Sequence, residues 1–188
     1  NMRLAKNLER LGTESAFSIL AEAKKLEAQG KEMIHLGLGQ PDFKSPKHVV
    51  EAAKKAIDDG HHGYVLANGI LECREAVSRK IKTLYKKDIS PERVMIMPGG
   101  KPTMYFAISM IGEPGSEIIH PTPGFPIYES MINYTGATAV PYDLTEDKDL
   151  KFDPEKILSL ITDKTRLIVL INPNNPTGSF VEKSKIDF

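Results

Sequence analysis

Apolar residues at Phe17, Leu20, Ala21 and Ala23 recur at helical spacing through residues 13–29, and Gly30 follows as a stop. That spacing predicts a helix. Met33 to Leu38 reads as a short extended run, ending in the loop Gly39-Gln40-Pro41-Asp42-Phe43. Ser45-Pro46 has the form of a helix start, Ser capping and Pro at the first helical position. It predicts a helix to about Asp59, just before Gly60. A loop through residues 61–68 leads to a longer amphipathic pattern from about Ile70 to Tyr85.

Further on, short apolar runs alternate with helical patterns. Val94-Met95-Ile96-Met97 reads as a strand, and Pro98-Gly99-Gly100 turns the chain into a helix from Lys101 to about Ile111. Glu117 to His120 predicts a strand, Pro126 to Tyr134 a helix, and Ala137 to Tyr142 another strand. Asp153-Pro154 starts a helix to about Ile161, and Arg166 to Ile171 is the most continuous apolar run of all. Such a run is the pattern of a strand buried on both faces. Strand–helix alternation implies βαβ units on a mostly parallel sheet, with helices on both sides. Ligands of such sheets sit beyond the carboxyl ends of the strands, which directs attention to the residues after Met97, His120 and Ile171. Residues 1–44 read as an arm or part of a small domain, and 45–188 as a larger sheet domain.

Composition narrows the classes. Lys plus Arg and Asp plus Glu number 25 each, so the net charge is zero and no excess positive charge invites nucleic acid or an acidic membrane. The pairs Lys24-Lys25, Lys54-Lys55 and Lys86-Lys87 are interleaved with acids and read as solvated helix faces. Cys73 is the one cysteine, which rules out an intramolecular disulfide, and no apolar run reaches membrane-spanning length. The cytoplasm is the expected location. His35, His48, His61, His62 and His120 lack metal-ligand spacing. Asn1 before Met2 reads as the remainder of an expression tag, and residues 184–188 as the first turn of a helix cut short.

Three segments fall at the strand ends. Gly99-Gly100-Lys101 is a glycine turn entering a helix, where the amides of Gly100 and Lys101 could hold an anion. A plain tight turn explains it as well. Thr122-Pro123-Gly124-Phe125-Pro126 is a stiff loop carrying an aromatic ring, which a core position also explains. Asn172-Pro173-Asn174-Asn175-Pro176-Thr177-Gly178 is a rigid polar turn with a density of special residues that a structural turn does not need.

Asn174-Asn175-Pro176-Thr177-Gly178 resembles the NNPTG signature of class I/II aminotransferases, which have fold type I of the pyridoxal 5′-phosphate (PLP) enzymes. Leu38-Gly39-Gln40-Pro41-Asp42-Phe43 is similar to the family's G-x-P-D-F segment. Tyr64 to Glu75 matches its Y-x-x-x-x-G-x-x-x-L-R-E run, except that Cys73 stands where leucine is usual. Gly99-Gly100-Lys101 matches its phosphate turn. The resemblance implies a three-layer α/β sandwich, incomplete here, and a homodimer acting on an amino acid and a 2-oxo acid. It implies that Gly100 and Lys101 hold the PLP phosphate through their amides, and that Tyr64 bonds the phosphate of the partner subunit. It also implies that Phe125 stacks on the pyridine ring, that Asn175 bonds its O3′, and that Gly39, Phe125 and Asn175 meet the substrate. Lys101, placed in the phosphate turn, is not the Schiff-base lysine. That lysine, the aspartate on the pyridine nitrogen and the carboxylate-binding arginine lie further along in the family. The chain is therefore expected to hold no catalytic residue of its own and to be inactive alone. A C–S lyase or synthase of the same fold, or a non-catalytic aminotransferase-like sensing domain, are the competing readings.

Overall fold

The computed structural model describes residues 3–12, 15–145, 150 and 152–186. Asn1-Met2, the first two residues of the helix expected from 13, and Asp187-Phe188 lie outside the described residues. Contacts divide the chain into two compact units, residues 1–18 with 100–188, and residues 19–99. The division expected at residue 44 falls inside the second of these.

The first unit contains the sheet. Strands β1 (Glu117–Thr122), β2 (Thr138–Asp143) and β3 (Thr165–Ile168) run parallel in the order β2-β1-β3. Ile118 lies opposite Ala139 on one side and Leu167 on the other, so β1 is bonded along both edges. Successive strand residues point to opposite faces, and both faces of β1 are covered. On one face Ile118 packs with Ile108, Met131, Ile132, Ala137 and Val169, the first three helix residues coming from α4 (Gly100–Ser109) and α5 (Ile127–Thr135). On the other, Ile119 packs with Tyr142, Leu144 and Ile157 of α6 (Pro154–Leu160). Helix, sheet and helix make the three layers that the alternation implied.

Local chemistry sets the helix ends. Asp153 caps α6, its Oδ1 accepting from the amides of Glu155 and Lys156, with Pro154 at the first helical position. α5 ends at Gly136, whose φ of 89° is the left-handed conformation that closes helices. Its last carbonyls are also met from the amino-terminal arm. Arg10 Nε donates to Asn133 O at 2.8 Å and Nη2 to Tyr134 O at 2.9 Å, placing a cation where the helix dipole is negative. Gly12 N donates to Ser130 Oγ at 2.9 Å beside it.

Residues 19–99 hold most of α1 (Ser15–Ala28), then α2 (Lys47–Asp58) and α3 (Leu71–Tyr85). Here the organising residue is Arg74, whose side chain is 3% exposed. It donates to Gly69 O at 3.1 Å, Pro91 O at 3.0 Å and Glu92 Oε1 at 3.3 Å, tying the turn before α3 to the chain after it. Gly69 has φ +95°, and a Cβ on it would stand 2.8 Å from Ile96 Cγ1. Only glycine fits there.

Three expectations change. Residues 94–97 form no strand; Ile96 N donates to Asn68 O at 3.1 Å, so the segment is spent on the Gly69 turn instead of a ladder. The apolar run 166–171 is not buried on both faces. β3 bonds to β1 alone, Val169 faces the core, and Ile168 and Leu170 remain 40% and 41% exposed. Ser45 is not the cap of α2: the boundary falls at Pro46, with no side-chain cap bond. The helix expected after residue 183 is present as α7 (Lys183–Ile186).

Ile118→Ala, at a position with 0% exposure, is expected to cost about 2–5 kcal/mol in a urea titration. Leu158→Ala, at a side chain 55% exposed, should cost far less.

Candidate active site

The carboxyl ends of β1 and β3 and the start of α4 bring three loops of the first unit together. α4 opens at Gly100, so the amides of Gly100 and Lys101 lie in its first turn, where donors and the positive end of the dipole face outward. Lys101 Nζ stands 5.8 Å from the centroid of the Phe125 ring and 5.4 Å from that of Phe17. A cation between two aromatic faces is electrostatically favoured. Phe125 is half-buried and meets Tyr128 edge to face, centroids 6.5 Å apart. Burial raises the Tyr128 hydroxyl above its ordinary pKa, so the group stays a neutral phenol.

The loop of Phe125 leaves β1 through a tight bend. At Gly124 a Cβ would lie 2.3 Å from Pro121 O, which excludes any side chain without a shift of backbone. Across from it, residues 172–179 fold on themselves: Asn174 N donates to Ser179 O at 2.7 Å and Gly178 N to Asn174 O at 2.9 Å. Asn174 Nδ2 donates to Pro123 O at 3.2 Å, joining this turn to the Phe125 loop, and to Thr177 Oγ1 at 2.9 Å. The peptide bonds Thr122-Pro123, Asn172-Pro173 and Asn175-Pro176 are cis. Asn175 is exposed on this turn while Asn174 is buried. The signal that reasoning from sequence missed was Asn174: both asparagines of the motif were visible, but not which faces inward.

Gly100, Lys101, Phe125 and the turn bearing Asn175 thus belong to one unit and are tied together. Tyr64 and Gly39 belong to the other unit, both exposed, Tyr64 fully so. Behind the Phe125 loop, His120 on β1 is 5% exposed. Burial lowers its pKa below the ordinary 6.5, against the opposing pull of Glu129 and of the Pro121 backbone. Among the described residues, no three His, Cys, Asp or Glu side chains gather as a metal site, and no helix is long and apolar enough to cross a membrane.

The sequence and the fold match known proteins. The family described as aminotransferase class I and II matches residues 31–187. The (5-formylfuran-3-yl)methyl phosphate transaminase of Methanocaldococcus jannaschii is 35% identical over 98% of this chain and 48% of that protein. The aspartate aminotransferase of Bacillus subtilis is 33% identical over 94% of this chain and 45% of its own length. The structure of Thermus thermophilus aspartate aminotransferase with maleate superposes with a TM-score of 0.93 at 30% identity, over the whole of this chain and 49% of that one. The parallel sheet, its strand-end loops and these matches make the chain a member of the class I and II aminotransferase family, with the type I fold. It spans about half the length of the curated relatives it matches.

Two outcomes follow from the geometry. Gly124→Ala should destabilise by about 1–3 kcal/mol through overpacking, whereas Gly39→Ala, with nothing within 4 Å of the added carbon, should be close to neutral in the same denaturation assay. For His120, the unfolded chain takes up its proton near the ordinary pKa while the folded chain resists. Stability is then full above that pH and falls as the pH drops below it. The urea midpoint should decline on mild acidification, and less steeply in His120→Gln.

Proposed function

We propose that this chain carries the phosphate- and ring-binding part of a PLP-dependent transaminase, which moves an amino group between an amino acid and a 2-oxo acid. The observation that carries the reading is the meeting of the α4 amino end, Phe125 and the NNPTG turn along one edge of the sheet, held by the Asn174–Pro123 hydrogen bond. The relatives named above differ in substrate and share amino-group transfer, which supports that step for a protein carrying this chain. The residues present suit such a cofactor: donors at a helix start for a phosphate, a half-buried aromatic face for a planar ring, and an exposed amide on a stiff turn.

Bound PLP supplies an electron sink for the bond broken at the amino acid Cα. The chain's own part is binding and orientation. The amides of Gly100 and Lys101 hold the phosphate, and the Lys101 ammonium adds positive charge beside it. Phe125 stacks against one face of the ring, fixing its plane and excluding water there. Asn175 donates its side-chain N–H to the phenolate oxygen O3′, which lowers the energy of the ionised form. Gly39 meets the substrate carboxylate through its backbone, and the exposed Tyr64 hydroxyl reaches the phosphate in a partner subunit, which makes the working protein a homodimer.

For the 188-residue chain alone, a saturable change in PLP absorption without any response to amino acids is expected. An amino-acid-dependent shift of that spectrum would overturn the reading of the isolated chain as inactive, and absence of any saturable change would overturn the site. In a protein of the relatives' full length carrying this chain, Asn175→Ala should lower kcat/KM by about tenfold to a hundredfold, the worth of one hydrogen bond to a charged oxygen.

A further inference from the structure

We propose that Asn174, which none of the roles above uses, is the positioning residue of this pocket: a strut whose side-chain amide sets the distance between the Phe125 loop and the Asn175 turn. The inference rests on the cofactor reading of that pocket for its purpose, though not for its geometry.

The amide spends both donor protons on two different partners. One goes to Pro123 O, 51 positions away in sequence and two residues before Phe125. The other goes to Thr177 Oγ1 within its own turn. Thr177 Oγ1 is in turn shared with Ser179 Oγ at 2.7 Å and lies 3.3 Å from Ser179 N, so the inner end of the strut is itself held. Asn175 follows Asn174 directly, and its neighbour Pro176 cannot flex about φ. Fixing Asn174 therefore fixes where the Asn175 amide can point. On the far side Pro123 stands two residues from Phe125 in the tight bend at Gly124, where an added Cβ would lie 2.3 Å from Pro121 O.

Stability does not account for the residue. Asn174 is 7% exposed, and its Oδ1 is buried with no hydrogen-bond partner. A buried acceptor left unmade is unfavourable and offsets much of what the two donated bonds contribute; leucine has the same branching without the acceptor, though it is bulkier. The opposite amide orientation is worse, because it would set Oδ1 against the lone pairs of Pro123 O. An amide kept at such a cost is explained by what its two donors hold apart and together.

The protein contains no tryptophan, so Phe125→Trp installs a sole fluorescent reporter in the loop. Asn174→Leu is then added to it. The ligand is pyridoxine 5′-phosphate, which carries the phosphate and ring but lacks the aldehyde that would condense with surface lysines. The expected result for the folded Asn174→Leu variant is greater acrylamide quenching of the indole. Affinity for pyridoxine 5′-phosphate should fall about tenfold, the factor carried by one ordinary hydrogen bond. A merely structural residue would leave the reporter and the affinity of the folded variant unaltered, whatever its stability. Unchanged quenching and affinity in the folded double variant would overturn the proposal. Should that variant not fold, the unaltered chain decides by nuclear magnetic resonance. Slow solvent exchange of the Asn174 side-chain protons, with a through-space contact to Pro123, supports the strut; exchange as fast as that of the exposed Asn175 amide overturns it. If Phe125→Trp alone gives no response to pyridoxine 5′-phosphate, the cofactor reading falls while the quenching comparison still judges Asn174.

Discussion

Backbone pairing along both edges of β1 is the constraint on which the candidate site depends. A strand bonded on one side can slide or twist away; one bonded to β2 and β3 at once has its register fixed, because a slip by one residue would turn Ile118 and Ile119 to the wrong faces. Each of these side chains is fully buried in its own cluster. With β1 immobilised, the bend at Gly124 has a fixed origin. The turn after β3 has one too, because β3 hangs from the same strand. The chemistry of the loops is a consequence of that pairing, not an independent invention.

Much of this was readable beforehand, and for identifiable reasons. Helices announced themselves through glycines at Gly30 and Gly60 and through the Asp153-Pro154 start, since each is a local rule that tertiary packing did not override. The loops after β1 and β3 were found because ligands of a parallel sheet bind beyond the carboxyl ends of its strands; the Gly100 turn was found by the same rule although no strand precedes it. What escaped was whatever depends on neighbours. Residues 94–97 have strand-like composition and no ladder, and Ile96 N bonds to Asn68 O instead. The run through Leu170 has the composition of a twice-covered strand, yet position at the sheet edge decides its exposure. Neither fact is local to the segment. The distinction between Asn174 and Asn175 is of the same kind, since adjacent identical residues differ only in which way the turn presents them.

Arg74 shows that a motif can mix purposes. It lies in the run from Tyr64 to Glu75 that carried part of the family resemblance, and its guanidinium is consumed by two carbonyls and one carboxylate of its own unit. Arg is suited to this because its planar fork can serve several acceptors while remaining charged. Within one stretch of sequence, then, Tyr64 is exposed and available for recognition, while Gly69 and Arg74 serve to shape the backbone.

The clasp between Arg10 and the last turn of α5 joins positions 123 and 124 residues apart. A contact of that span cannot form until α5 has been made, and it carries the entropy of closing a large loop. During synthesis the arm emerges early and stays without its mate until α5 has left the ribosome and folded. The arm, made well before α5, is thus seated only after it, and a nascent chain spends that interval with Leu8 and Leu11 available to other surfaces.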